Sequence, residues 1–210
     1  MTDGTAEPRV TALDELVIVF PGTWVMIPLH DDEAAGKRIA RLVSDRVGRA
    51  DRLARVRRTA KTELERLVAL ANDSEAFALA LSMEILPGVP FPASLVLSRE
   101  EWPTAPGEDG ISEDGPAAHL ARCFPDDDAL DLSIGPVRRR SSVRQTRYDE
   151  ESAPELVADY RFPVPDGSRL IHARVNAPMA TAPDLYLELF DAMIDSISFR
   201  APLAPQATGR

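Results

Sequence analysis

The stretch Ala153–Phe199, APELVADYRFPVPDGSRLIHARVNAPMATAPDLYLELFDAMIDSISF, decides the fold. Leu156, Ala158, Tyr160, Phe162 and Val164 alternate with Glu155, Val157, Asp159 and Arg161, the period of two of a strand with one buried face. Pro165-Asp166-Gly167-Ser168 is a turn: proline presets φ, the Asp side chain bonds nearby backbone, and glycine accepts a positive φ. The return run puts Ile171, Ala173 and Val175 on one face and Leu170, His172 and Arg174 on the other, which predicts an antiparallel pair. Thr181 then reads as an N-cap, Pro183 falls in the first helical turn, and Asp184 meets the positive helix end. Leu185, Tyr186, Leu189, Phe190, Met193, Ile194 and Ile197 recur at helical spacing, with Glu188, Asp191 and Asp195 opposite. A stripe this broad needs a sheet to bury it.

Toward the N-terminus the same signals repeat. Phe77, Leu79, Leu81, Met83 and Ile85 alternate with small or polar residues, Pro87-Gly88-Val89-Pro90 turns, and Ala93–Ser98 returns as a second antiparallel pair. Leu16–Phe20 and Thr23–Leu29 read as strands around Pro21-Gly22, with Pro28 marking a strand end or a sheet edge. Trp24 and Met26 share a face that excludes Ile27. Asp31-Asp32-Glu33 opens a helix that Gly48 ends, its apolar face being Ile39, Leu42, Val43 and Val47. A second helix runs from about Arg49 to Ala71 with the stripe Leu53, Val56, Ala60, Leu64, Leu67 and Ala71, making an αα-hairpin. After a loop over Glu101–Gly110, Ser112-Glu113-Asp114 starts a short helix that Pro125–Asp128 closes. Leu130, Leu132 and Ile134 form a short strand. Val137–Tyr148, VRRRSSVRQTRY, is β-like and should pair with the strand beginning near Glu155 across the acidic turn Asp149–Glu155.

These elements predict an α+β fold, an antiparallel sheet flanked by helices. An N-terminal αα-hairpin and a C-terminal helix pack on the sheet. One domain over 14–200 stands between flexible tails at 1–13 and 201–210. The 210-residue chain is 44% hydrophobic and 28% charged, ordinary for a globular protein of that length. Cys123 is the only cysteine, so neither an intrachain disulfide nor a Cys-based metal cage is expected. The start lacks a basic, then apolar, leader and no run approaches a membrane span; the expected compartment is the cytoplasm, without membrane insertion. Arginine outnumbers lysine 22 to 2, the codon signature of a GC-rich genome.

Charge is unevenly spread. Lys37–Arg66 holds eleven basic and four acidic residues, a net +7 in a chain of net −10, which leaves −17 elsewhere. The segment reads either as a solvated face balanced by acidic neighbours or as a surface for an anionic partner. It contains no aromatic residue to stack on bases, and the overall charge disfavours nucleic acid. Arg138, Arg139, Arg140, Arg144 and Arg147 make the strand Val137–Tyr148 basic in turn, for cross-strand pairing with Glu150, Glu151, Glu155 and Asp159 or for an anion or peptide. The candidate partner or anion surface is therefore Arg52, Arg55, Arg58, Arg138, Arg140 and Arg144.

No motif carries chemistry. His30, His119 and His172 lie in separate elements, no His pair has metal spacing, and there is no HExxH, Gly-x-Ser-x-Gly or phosphate loop. The triplet Asp126–Asp128 lacks EF-hand spacing. His119 and Cys123, four residues apart on a short helix, read as packing and surface, although a triad assembled in space needs no adjacency. No catalytic residue, cofactor or metal is expected.

Two stretches carry a resemblance. Gly22–Leu29, GTWVMIPL, is similar to the opening of uncharacterised proteins from high-GC Gram-positive bacteria. Tyr160–Pro165 followed by Leu189–Ile197 resembles their closing strand and helix. The same order of elements resembles the PsbP-like fold, which includes LpqN-type lipoproteins, DcrB-like proteins and the Eag chaperones of type VI secretion. The resemblance implies an antiparallel sheet flanked by helices and partner binding, of effector segments in the Eag case, with no catalytic residues to carry over. The lipid-anchor cysteine of the LpqN type is lacking, so a cell-surface role does not carry over. The expectation is a non-catalytic binding, adaptor or chaperone-like domain associated with a bacterial secretion system, with a protein partner or a second copy of itself. The alternatives are a polyanion or nucleic-acid binder and an enzyme of unrecognised type.

Overall fold

The structure, a computed structural model, describes residues 9–13, 15–103, 115–148 and 151–200. The expected helix start at Ser112–Asp114, most of the loop before it and the tail 201–210 lie outside them. In chain order the elements are β1 (Arg9–Leu13), β2 (Leu16–Phe20), β3 (Thr23–Ile27), α1 (Asp32–Val47), α2 (Ala54–Asp73), β4 (Ala76–Leu86), β5 (Val89–Glu100) and α3 (Pro116–Cys123). There follow β6 (Asp128–Leu132), β7 (Gly135–Tyr148), β8 (Glu151–Pro163), β9 (Leu170–Ala177), α4 (Pro183–Asp195) and β10 (Ser198–Phe199). Seven strands form one antiparallel sheet in the order β3-β4-β5-β9-β8-β7-β6, and β1-β2-β10 form a second. The fold is α+β, as the periodicities predict.

The inner face of the large sheet holds the main core. Leu156, Ala158, Tyr160 and Phe162 of β8 and Ile171, Ala173 and Val175 of β9 meet Phe190, Met193, Ile194 and Ile197 from α4 and its C-terminal end. Leu16, Ile18 and Phe20 of the small sheet complete that layer. Burying side chains of this size contributes roughly 1.5–3 kcal/mol each. One polar cluster interrupts it: Tyr160 Oη donates to Asp191 at 2.7 Å, and Asp191 also pairs with Arg139. Asp191 therefore faces the sheet, not the solvent side its helical position suggested, because a buried phenol and guanidinium both require an acceptor.

On the outer face the α1–α2 hairpin covers β3 and β4. Ile39, Val43, Val68 and Ala71 pack on Ile27, Leu79 and Leu81 in a second core. β4 is buried on both sides, Ala78 and Ala80 inward and Leu79 and Leu81 under the hairpin. Edge strand β3 divides as alternation requires: Trp24 and Met26 join the main core, Val25 and Ile27 the second. It stops before Pro28. Gly22 links the two sheets at φ 72°, where a Cβ would lie 2.2 Å from the Glu84 carbonyl oxygen; only glycine fits there.

Several sequence expectations are corrected. Arg9–Leu13 is a strand paired to β2, not tail, because β2 offers it an unfilled edge and Leu13 becomes buried. Thr181 is not the cap of α4; Ala182 occupies that position with no side-chain bond, and Pro183 fixes the start. Leu185 is 65% and Val56 52% exposed, whereas Val68 is buried; stripe positions near a helix start overhang the surface they point toward. A 3₁₀ turn at Asp51–Leu53 delays α2 to Ala54. β8 begins at Glu151, so the acidic turn is shorter than expected. Among the described residues no helix is long and apolar enough to cross a membrane.

Two truncations on α4 separate the buried from the overhanging half of its stripe. Phe190→Ala should destabilise by about 3–5 kcal/mol and Leu185→Ala by less than about 0.5 kcal/mol, read from urea unfolding; similar losses at both would misplace the helix.

Candidate binding site

The six arginines singled out in the sequence fall into two environments. Arg52, Arg55 and Arg58 stand on the 3₁₀ turn and the start of α2, all exposed, with no ion pair or hydrogen bond among the described residues. Arg57, between them, faces inward and donates to the carbonyls of Gly48 and Ala50, which holds the joint of the hairpin. The strand arginines are engaged. Arg138 donates to the Asp127 carbonyl at 3.0 Å, and Arg140 Nε lies 2.6 Å from Asp127 Oδ1. Arg144 Nε is a looser 3.4 Å from Glu155. Asp127 has no exposed side-chain surface and also faces Arg161 at 3.9 Å, whose guanidinium lies over the Phe124 ring. Arg138 and Arg140 thus fasten the end of α3 to the sheet. Of the acidic partners expected across the strands, Glu155 takes Arg144, whereas Asp159 takes residues of β9.

Between α2 and α3 the outer face is uncovered, and the alternation of β5, β8 and β9 lines it with polar groups. Glu100, Ser98, His172, Arg174, Asn176, Glu155 and Arg144 form the floor and far wall of a trough of about 660 Å³, with Arg66, Leu67 and Leu70 of α2 as its near wall. His172 stands at its centre. Nδ1 is 2.8 Å from Glu100 and Nε2 2.8 Å from Asp159. With a carboxylate on each nitrogen, both must donate, so the ring is an imidazolium. Burial favours the neutral ring, but the bonds to Asp159 and Glu100 outweigh it and raise the pKa. The His172 bond holds the Glu100 carboxyl below its ordinary range. Asp159 is also lowered: burial opposes ionisation, and the His172 bond with the Arg174 charge overcomes it. With both nitrogens donating, the charged His172 ring has no lone pair free to accept a proton.

The trough opens beneath the hairpin into an apolar cleft of about 450 Å³. Leu42, Val47, Leu64 and Leu67 of the helices face Leu81, Met83 and Pro92 of the sheet, and among the described residues no aromatic side chain lines it. Leu67, Ser94, Glu155 and Asn176 belong to both spaces.

The remaining titratable candidates are packed apart. His119 is buried edge-on against Trp102 at 4.7 Å, and Cys123 Sγ donates to the Pro103 carbonyl at 3.3 Å. His30 holds the turn before α1, its ring within 3.1 Å of the Ala76 carbonyl. Among the described residues no group of three or more His, Cys, Asp and Glu could hold a metal ion. Sequence reasoning placed His172 and Arg174 on an outward strand face but missed the trough. The available signal was that Asp159 and Arg161 share the outward face of the neighbouring strand.

His172 gives the trough a pH signature. A pKa raised by folding stabilises fully below the unfolded value, about 6.5, and that contribution is lost as pH rises through the folded value. The wild-type advantage over His172→Gln in urea unfolding should therefore be larger near about pH 6 than near about pH 9; parallel curves would exclude a charged His172.

The chain matches none of the protein-family models and none of the curated proteins with which it was compared.

Proposed function

We propose that the chain is a non-catalytic protein-binding domain, an adaptor or chaperone-like module, that holds an acidic segment of its partner on the basic face of the α1–α2 hairpin. One observation carries this reading: Arg38, Arg41, Arg52, Arg55 and Arg58 are exposed and unpaired among the described residues, in a chain of net charge −10. Positive charge concentrated on one face of an acidic protein steers an anionic partner to that face. The hairpin is anchored beneath by its own apolar core, so the arginines are presented by rigid helices and little order has to be gained on binding.

A protein partner is favoured over nucleic acid because Lys37–Arg66 offers no ring on which a base could stack and the rest of the chain repels a phosphate backbone. An antiparallel sheet between helices supports the PsbP-like reading and, through it, a cytoplasmic role beside a bacterial secretion system. A second copy of the chain, acidic outside the hairpin, fits the same chemistry.

The test compares a fluorescein-labelled Asp/Glu-rich peptide with a DNA oligonucleotide, on the wild type and on the triple variant Arg52→Glu, Arg55→Glu, Arg58→Glu. All three sites are exposed, so the variant should melt as the wild type does. The peptide should bind and lose about tenfold or more in affinity in the variant, as removal of several charge contacts implies. Tighter DNA binding with a steep fall as salt rises would hand the surface to the polyanion reading, and binding indifferent to the three arginines would end both.

A further inference from the structure

The cleft and the trough together present a binding capacity separate from the basic face of the hairpin. The cleft has the volume of a small-molecule site, walled by aliphatic residues with a few polar groups at its ends. Its apolar lining is Leu, Val, Met, Ala and Pro, interrupted by Arg46, Glu63, Ser82, Ser94, Glu155 and Asn176, and among the described residues it has no ring to stack on a planar ligand. Such walls suit a flexible hydrocarbon chain, and Met83 adds a side chain that adapts to irregular shapes.

The open end is cationic. Arg66 has no ion pair among the described residues. Arg174 reaches Asp159 only at 3.6 Å and is 51% exposed, and Arg144 reaches Glu155 only at 3.4 Å and is 59% exposed. The carboxylates nearby are already occupied. Glu155 accepts from Thr146 and Asn176 at 2.7 and 2.8 Å, and Glu100 accepts from Arg161 besides facing His172. At the other rim Arg46 is bound to Glu84, and Glu63 stands free of it. Negative charge at one end of a ligand thus meets three loosely held guanidiniums, while the body beyond it meets mainly aliphatic side chains, with the Ser82 and Ser94 hydroxyls among them.

We propose that this space binds a free long-chain aliphatic carboxylate, its chain between α2 and strands β4 and β5 and its head group against Arg66, Arg144 and Arg174. A guanidinium fork matches a carboxylate in a bidentate way that an alcohol or amine cannot reproduce. The chain supplies affinity by burial and the arginines supply the sign of charge accepted.

The test is displacement of a fluorescent fatty-acid probe from the full chain by octanoate, decanoate, dodecanoate, dodecanol and dodecylamine. Affinity should rise about fourfold per added methylene along the carboxylates until the cleft is full. Dodecanol and dodecylamine should bind at least about tenfold more weakly than dodecanoate, the scale of a charge-assisted contact. The surface variant Arg144→Ala with Arg174→Ala should remove most of that discrimination, and Leu67→Trp should close the cleft. Charge reversal at Arg52, Arg55 and Arg58 should leave dodecanoate binding unchanged, which separates this site from the hairpin face. Absence of saturable displacement, equal binding of the three dodecyl compounds, or dodecanoate affinity unchanged by the arginine variant would each overturn the assignment.

Discussion

Burial of one side of α4 against the inner face of the large sheet is the constraint on which the rest depends. β8 and β9 bring Tyr160, Phe162, Ile171 and Val175 to that face, and Phe190, Met193 and Ile194 close over them. Removing so much apolar surface from water is the dominant favourable contribution available to a chain of this length. The small sheet completes the closure through its own apolar residues and through Ser196, whose hydroxyl accepts the Val19 N–H. The Tyr160–Asp191–Arg139 cluster fixes the register of α4 on the sheet, since any slide would leave a buried donor without its acceptor.

Closing one face with α4 leaves the hairpin and the short α3 to cover the other, and they cover only its two sides. The uncovered middle cannot be apolar without inviting aggregation, so β5, β8 and β9 carry charges there. Half-buried charges need partners, and the result is a continuous network from Arg140 and Asp127 through Arg161 and Glu100 to His172, Asp159 and Arg174. That network serves stability first. The groups it leaves loosely held, Arg66, Arg144 and Arg174, line the trough, which shares Leu67, Ser94, Glu155 and Asn176 with the apolar cleft.

Much of this was legible in the chain because strict alternation in β8 and β9 and the turn at Pro165–Ser168 admit one pairing. The hairpin was equally clear from two helical stripes joined at Gly48. Partnership across the sheet was not legible. Asp191 reads as solvent-facing from its own helix, and only the position of Tyr160 and Arg139 turns it inward. Arg138 and Arg140 read either as paired with acids across the strand or as an anion site, and neither reading finds Asp127, which lies in a loop whose place is fixed by α3, not by any periodicity. Val10 and its neighbours read as tail, since a five-residue edge strand has little pattern of its own until β2 supplies a partner.

The central claim is a sheet whose middle strands, β8 and β9, are sealed by α4 on one face and open on the other. Rates of thiol modification at single cysteines on β9 test it most directly, with Cys123→Ser as background. Arg174→Cys and Val175→Cys are neighbours that point to opposite faces, 51% and 0% exposed in the native chain. The account predicts rapid modification at 174 and protection at 175 that is lost only on global unfolding. Equal rates at the two positions, or fast modification at 175, would contradict it.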